Sequence, residues 1–239
     1  MKDQEKTKEA LIRENNDLRS RIAELEKSDA KRTQAKDALS QSLDKLKKAT
    51  GFIIDVIVMV VETRDPYMSG HQKRVADLAR SIAAEMNLSE EIIDGIGMAG
   101  LIHDVGKISI PAEILGQPRQ LTDVEYSLVK THPDTAYQLL KEIDFYRPVA
   151  LIVYQHHERI NGTGYPQGIK GEDILPEAKI LGVADVVEAI CRHRPYRAAS
   201  GIDKALKEIS QYSGVLYDPE VVDACTKLFS EKGFRFKSR

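Results

Sequence analysis

The sequence predicts an all-α protein, with an N-terminal coiled-coil helix over residues 1–50 and a helical bundle over residues 51–239. Three observations carry this. Leu11, Leu18, Leu25, Leu39 and Leu46 fall in one seven-residue series, with Ile22 and Leu43 in its companion series, which is the a/d pattern of a coiled coil. Beyond residue 51, apolar residues recur at helical spacing in segment after segment. No stretch alternates convincingly with period two, and no repeat of solenoid length is present.

The coil comes first. Asp29, Arg32 and Lys36 interrupt its seam, so its middle is expected to be weak or switchable. A homodimer through this coil, acting as a signalling linker, is the expected arrangement; a solvated single helix is the alternative. The run from Phe52 to Val61 is apolar but contains Asp55 and is too short to span a bilayer. It reads as a buried helix or one used in dimer packing.

Next, Gly70 to Met86 carries Val75, Leu78, Ala79, Ile82 and Ala83 at helical spacing. Ser89, with Glu90 and Glu91 behind it, starts a helix that reaches His103-Asp104, and Gly106 marks its end. Thr122-Asp123-Val124-Glu125 is a capping box opening a helix that runs through His132, with a kink or break at Pro133. Val149 to His157 is apolar and ends in a histidine pair. Pro176 starts a helix holding Ile180, Leu181, Val183, Ala184 and Asp185. Ile202–Ser213 and Pro219–Phe229 complete the set, the latter with Asp218-Pro219 as cap and first residue.

Composition excludes several classes of function. With 35 basic and 37 acidic residues, a net charge of −2 offers no general attraction to a nucleic-acid polymer or an anionic membrane. The charged N-terminus is unlike a signal peptide, and no segment reads as a membrane span. Two distant cysteines, Cys191 and Cys225, make neither a disulfide framework nor a thiolate zinc site, so a reduced, cytoplasmic setting is expected. An upstream sensor or other signalling domain is a further expectation, since the chain begins abruptly in charged helix.

The chemistry lies in seven side chains: His71, His103, Asp104, His132, His156, His157 and Asp185. Imidazole nitrogens and carboxylate oxygens suit first-row divalent metals. Seven such groups exceed what one four-coordinate ion needs, which points to a two-metal site. Singly, each histidine is more simply a hydrogen-bonded core residue; five of the chain's six histidines in this pattern argue for ligands. His193, among Arg192, Arg194 and Pro195, reads as surface. Lys107, one turn from His103, can contact a phosphate oxygen, or else sit exposed at a helix C-terminus. Arg159 can grip a second phosphate, or pair with Glu158 or Glu172. Asn161-Gly162-Thr163-Gly164-Tyr165-Pro166-Gln167-Gly168 reads as the rim of an active site because it follows a His-His pair.

These motifs resemble the HD-GYP family, a subgroup of the HD-domain metal phosphohydrolases. The resemblance rests on Gly70-His71-Gln72-Lys73-Arg74-Val75, His103-Asp104-Val105-Gly106-Lys107 and the stretch from His156-His157-Glu158-Arg159 to Gly164-Tyr165-Pro166. Val183-Ala184-Asp185-Val186 and Arg194-Pro195-Tyr196-Arg197 extend it, so that it covers about residues 52–230. The resemblance implies an HD-type bundle of about seven helices around two divalent metal ions, iron or manganese. It implies a phosphodiesterase that hydrolyses cyclic di-GMP in line to linear pGpG, in some members onward to GMP, with cyclic GMP-AMP as an alternative substrate. A catalytically weak cyclic-dinucleotide sensor is a further alternative. By the same resemblance the seven residues are the metal ligands, Asp104 the bridge, and Asp104 and Lys107 the catalytic pair. Lys107, Arg159, Gly164, Tyr165, Pro166 and Arg197 are then the substrate contacts. Some members carry a glutamate four residues before the first histidine that helps to hold a third metal; Tyr67 stands there, so two metals are expected. Ala136 replaces a frequent glycine with little expected consequence.

Overall fold

The computed structural model describes residues 8–65, 69–145, 147–191 and 201–236, and two compact units are distinguished, Met1–Ile53 and Ile54–Arg239. Among the described residues every regular element is helical, apart from one isolated bridge between Ser213 and Tyr217. None of the described helices is long and apolar enough to cross a membrane.

Helix α1 spans Lys8–Arg64. In the first unit its leucines and Ile22 are solvent-exposed, and Asp29 pairs with Arg32 at 2.8 Å one turn away. In the second unit the run expected to be buried or used in dimer packing is partly buried. Val58 and Val61 enter the core, whereas Val56, Ile57, Met59 and Val60 stay exposed. An apolar run on a single helix points all ways round, and one neighbouring surface can cover only one stripe of it.

The core of the second unit is built on α2 (His71–Glu85), α3 (Glu90–Ile102) and α8 (Pro176–Cys191), which pack on one another. The apolar stripe expected on α2 is real: Val75, Leu78, Ala79, Ile82 and Ala83 are fully buried. They meet Ile96 and Ala99 of α3 and Ile180, Leu181, Ala184 and Val187 of α8 in one cluster. Ser89 occupies the N-cap of α3 without a side-chain hydrogen bond, so this cap is positional only. A 3-10 turn, Val105–Ser109, follows α3.

Then come α4 (Ala112–Leu115) and α5 (Asp123–Val129). The capping box of α5 forms in both directions, with Thr122 accepting from the Glu125 N–H and Glu125 accepting from the Thr122 N–H. The helix expected to run through His132 is two helices. α5 stops at Val129, and α6 (His132–Leu140) starts afresh with Pro133 in its first turn, where a missing N–H costs nothing. α7 (Val149–Gln155), α9 (Gly201–Gln211) and α10 (Pro219–Ser230) complete the unit, and Asp218 caps α10 by accepting from the Glu220 N–H at 3.1 Å.

Candidate metal centre

Helix ends position the site. His103 follows the last residue of α3, His156 follows the last residue of α7, and His132 comes three residues after the end of α5. Carbonyls in the last turn of a helix have no partner within it. Each imidazole uses one: His103 Nδ1 lies 2.8 Å from Gly100 O, His132 Nδ1 2.8 Å from Val129 O, and His156 Nδ1 2.6 Å from Val153 O. With Nδ1 donating, the lone pair sits on Nε2, and three Nε2 atoms face one space.

His71 opens α2 and is held differently. Its Nδ1 meets Glu188 Oε2 at 2.6 Å, and its Nε2 meets Asp185 Oδ1 at 3.2 Å. Asp185 and Glu188 are one turn apart on α8 and clasp the ring from both sides. Arg74 Nε donates to the other Glu188 oxygen at 2.6 Å. The sequence reading missed Glu188 and Arg74. The available signal was the i, i+3 spacing of Glu188 from Asp185 and of Arg74 from His71.

Asp104 lies between two groups of histidines. Its Oδ2 faces His103 Nε2 at 3.4 Å and His71 Nε2 at 3.8 Å, while its Oδ1 faces His132 Nε2 at 3.4 Å. Three sets of ligand atoms lie within 4.8 Å of one another: His71, His103 and Asp185; His103, Asp104 and His156; His132, His156 and His157. All seven expected residues are brought together. The 3-10 turn that follows Asp104 must lie tight on α6: a Cβ at Gly106 would fall 1.9 Å from His132 O and 2.7 Å from Ala136 N. Ala136 is itself fully buried at that contact.

The electrostatics of Asp104, His132, His156 and His157 fit cation binding, whereas the carboxylates at His71 favour its protonated form. Burial, reinforced by Lys107 at His132 and by neighbouring imidazoles, pushes His132 down to about 4 and His156 down to about 3, and holds His157 well below its usual range. Burial opposes ionisation of Asp104, but Lys107 and His103 outweigh it and hold the carboxyl well below the carboxylate range. Burial also opposes charge on His71, but hydrogen bonds to Asp185 and Glu188 outweigh it and raise the ring to about 9. The buried Nε2 atoms of His132 and His156 have no hydrogen-bond partner. Buried, neutral, unpartnered imidazole nitrogens beside ionised carboxylates are what a divalent metal requires. The residues present therefore fit such a group.

Around this centre, Lys107 is largely buried and donates to Asp104 Oδ2 at 2.8 Å, so the exposed helix-end alternative does not hold. The loop after His157 is built on Glu158, whose Oε1 accepts from the N–H groups of Gln167 at 2.7 Å and Gly168 at 3.2 Å. Tyr165 stacks on His157 with ring centroids 4.6 Å apart, and its peptide bond to Pro166 is cis. A Cβ at Gly164 would fall 2.4 Å from Glu158 Cα. Lys130 Nζ lies 5.0 Å from the Tyr126 ring and 5.8 Å from that of Tyr165. Arg159 donates to the carbonyls of Glu158 at 2.8 Å and His156 at 3.4 Å and packs over Tyr217. Tyr67, His193 and Arg197 lie outside the described residues.

The chain is similar to known proteins. Residues 55–221 match the family model for the HD domain. The cyclic di-GMP phosphodiesterase response regulator RpfG of Xanthomonas campestris pv. campestris is 38% identical over 188 residues, covering 78% of this chain and 50% of that protein. The 3'3'-cGAMP-specific phosphodiesterase 3 of Vibrio cholerae is 34% identical over 175 residues, covering 73% of this chain and 38% of that protein. The chain thus spans about half the length, or less, of these curated relatives. Among solved structures, Bd1817, an HDG"Y"P protein from Bdellovibrio bacteriovorus, shares the fold with a TM-score of 0.57 at 21% identity, covering 68% of this chain and 52% of that one. With the family model spanning most of the chain, and with histidines and aspartates gathered where a metal could be held, this protein belongs to the HD domain family.

Proposed function

We propose that this chain is a metal-dependent phosphodiesterase of the HD-GYP type that hydrolyses cyclic di-GMP to linear pGpG and/or GMP. The observation that carries the reading is Asp104, whose two oxygens face two different groups of imidazoles. In this reading His71, His103 and Asp185 would hold one divalent ion and His132, His156 and His157 a second, with Asp104 as a ligand between the two groups. Iron or manganese suits this nitrogen- and oxygen-rich set. The ions would supply Lewis acidity toward the phosphoryl oxygens.

The chain's own groups do the rest. Glu188 and the three helix-end carbonyls orient the imidazoles, so that little reorganisation accompanies binding. Lys107 keeps Asp104 ionised and presents its ammonium to the scissile phosphate. Tyr165, braced by His157, and the turn through Gly164 and Pro166 shape the nucleotide pocket. Arg159, whose side chain bonds the His156 and Glu158 carbonyls, and Arg197 are proposed as further substrate contacts. Residues 1–50 are proposed as a coiled-coil signalling linker and residues 51–239 as the catalytic domain of a cytoplasmic homodimer.

Cyclic GMP-AMP is the second candidate substrate, favoured by the Vibrio relative named for that nucleotide. A catalytically weak sensor is less favoured, because all seven candidate ligands are present and converge. The test is to load anaerobically purified protein with Fe(II) or Mn(II), incubate it with each cyclic dinucleotide, and separate the products. Linear pGpG or GMP is expected, with no turnover in Asp104→Ala. Full metal content without cleavage of either nucleotide would replace the enzyme by the sensor.

A further inference from the structure

Lys130 is a cation without an acceptor at the edge of the candidate metal centre. It caps the C-terminus of α5 and is half-buried. Among the described residues its Nζ makes no hydrogen bond and no ion pair; it lies instead between the rings of Tyr126, at 5.0 Å, and Tyr165, at 5.8 Å. A ring face attracts a cation, but it leaves the three N–H donors of the ammonium without an oxygen to point at. A half-buried ammonium in that state gains more from an arriving anion than one already paired.

The other cations of the site are engaged. Lys107 donates to Asp104 Oδ2, the oxygen that faces His71 and His103. Arg159 directs Nη1 to two backbone carbonyls. Lys130 stands on the side of the remaining ligands. His132, whose Nε2 faces Asp104 Oδ1, follows two residues later, and Tyr165 stacks on His157. Its position is also fixed. Tyr126 lies one helical turn before it, a spacing that brings the two side chains together, and Tyr165 is itself held by a candidate metal ligand.

We infer that Lys130 binds the second phosphate of a dinucleotide whose first phosphate lies at the metal centre. The inference rests on the phosphodiesterase reading above and adds the group that senses how many phosphates the ligand carries. A dinucleotide with two phosphates reaches both the centre and Lys130; a ligand with one phosphate leaves Lys130 unpaired. Tyr126 and Tyr165 are then positioning residues for the ammonium, in addition to the part Tyr165 plays in shaping the pocket.

The test uses two ligands that differ by one phosphate, pGpG and GpG, each with a phosphorothioate linkage to slow cleavage. They are titrated calorimetrically into the full chain loaded with Mn(II), as wild type, Lys130→Met, Lys130→Gln and Lys130→Arg. Circular dichroism and metal content check each variant, and two neutral substitutions guard against one that fails to fold. The neutral variants are expected to bind pGpG about tenfold or more weakly, the scale of one hydrogen bond to a charged group, and GpG almost as wild type does. Lys130→Arg, which keeps the charge, is expected to retain most of the affinity for pGpG. Equal weakening of both ligands would make Lys130 a brace for Tyr165, and unchanged binding of pGpG would remove it from the site. Either result overturns the inference and leaves the phosphodiesterase standing. A wild-type protein that binds neither ligand and cleaves neither cyclic dinucleotide would overturn the nucleotide reading itself, and the inference with it.

Discussion

Asp104 shows how much one carboxylate controls. It is buried, yet ionised, because Lys107 and the imidazoles around it outweigh the cost of burial. Asp104→Ala should remove metal as well as turnover, since both halves of the site lose an oxygen. Metal analysis of the purified variant against the wild type, where two ions per chain are expected, checks this. Lys107→Met should keep metal but lower kcat by about 100-fold or more, the scale for one preorganised charge in a transition state; steady-state kinetics on metal-loaded protein would show it. Glu188 holds His71 Nδ1 at 2.6 Å. Its loss should weaken metal binding by about 10–100-fold through His71, with Glu188→Gln milder than Glu188→Ala because an amide oxygen still accepts from Nδ1. A competition titration with a chromogenic chelator reads this directly, and equal affinity in all three proteins would remove Glu188 from its positioning role.

At the scale of elements, the short connections matter most. The 3-10 turn after α3 and the start of α6 approach so closely that only glycine fits at position 106. Gly106→Ala should destabilise by about 1–3 kcal/mol, the usual cost of overpacking, and displace Asp104 from His132; urea melts and metal content would both register it. The capping box of α5 is local. Thr122→Ala should cost about 1 kcal/mol, measurable by thermal melting. Glu125 is pulled down to about 2, first by its hydrogen bonds to Arg119 and then by those to Thr122. A lowered folded-state value means its contribution is present above the ordinary glutamate range near 4.3 and fades as pH falls through about 2. Melting temperatures of wild type and Glu125→Gln should therefore differ at pH 6 and converge toward pH 2. The break at His132 was half legible in the sequence. Pro133 signalled it, but a proline inside a helix and a proline opening the next one read alike until the partner of the Val129 carbonyl is known.

For the whole molecule, a set of converging imidazoles and carboxylates is poised for cations rather than built for stability alone. Adding Mn(II) should stabilise the fold by about 2.7 kcal/mol per site at one hundred times Kd, so that the melting temperature climbs with the logarithm of free metal, and a chelator should reverse it. The same addition should do little in Asp104→Ala, which separates site binding from general salt effects.

What the sequence by itself determined is the helical class, the heptad register of α1, and the identity of all seven converging side chains. Each of these is a matter of residue type and local spacing, which the chain carries whatever it packs against. Only the tertiary structure decided how those side chains share the site. Residues 71 and 188 are far apart in sequence, and no periodicity says that Glu188 will hold the His71 ring or that Asp104 will turn one oxygen to each side. Those facts follow from α2 and α8 packing through one buried cluster and from helix ends delivering their spare carbonyls to three imidazoles. The apolar run from Phe52 to Val61 marks the same boundary. Composition made it sticky, but only packing decided that Val58 and Val61 face the core while Ile57 and Val60 remain exposed.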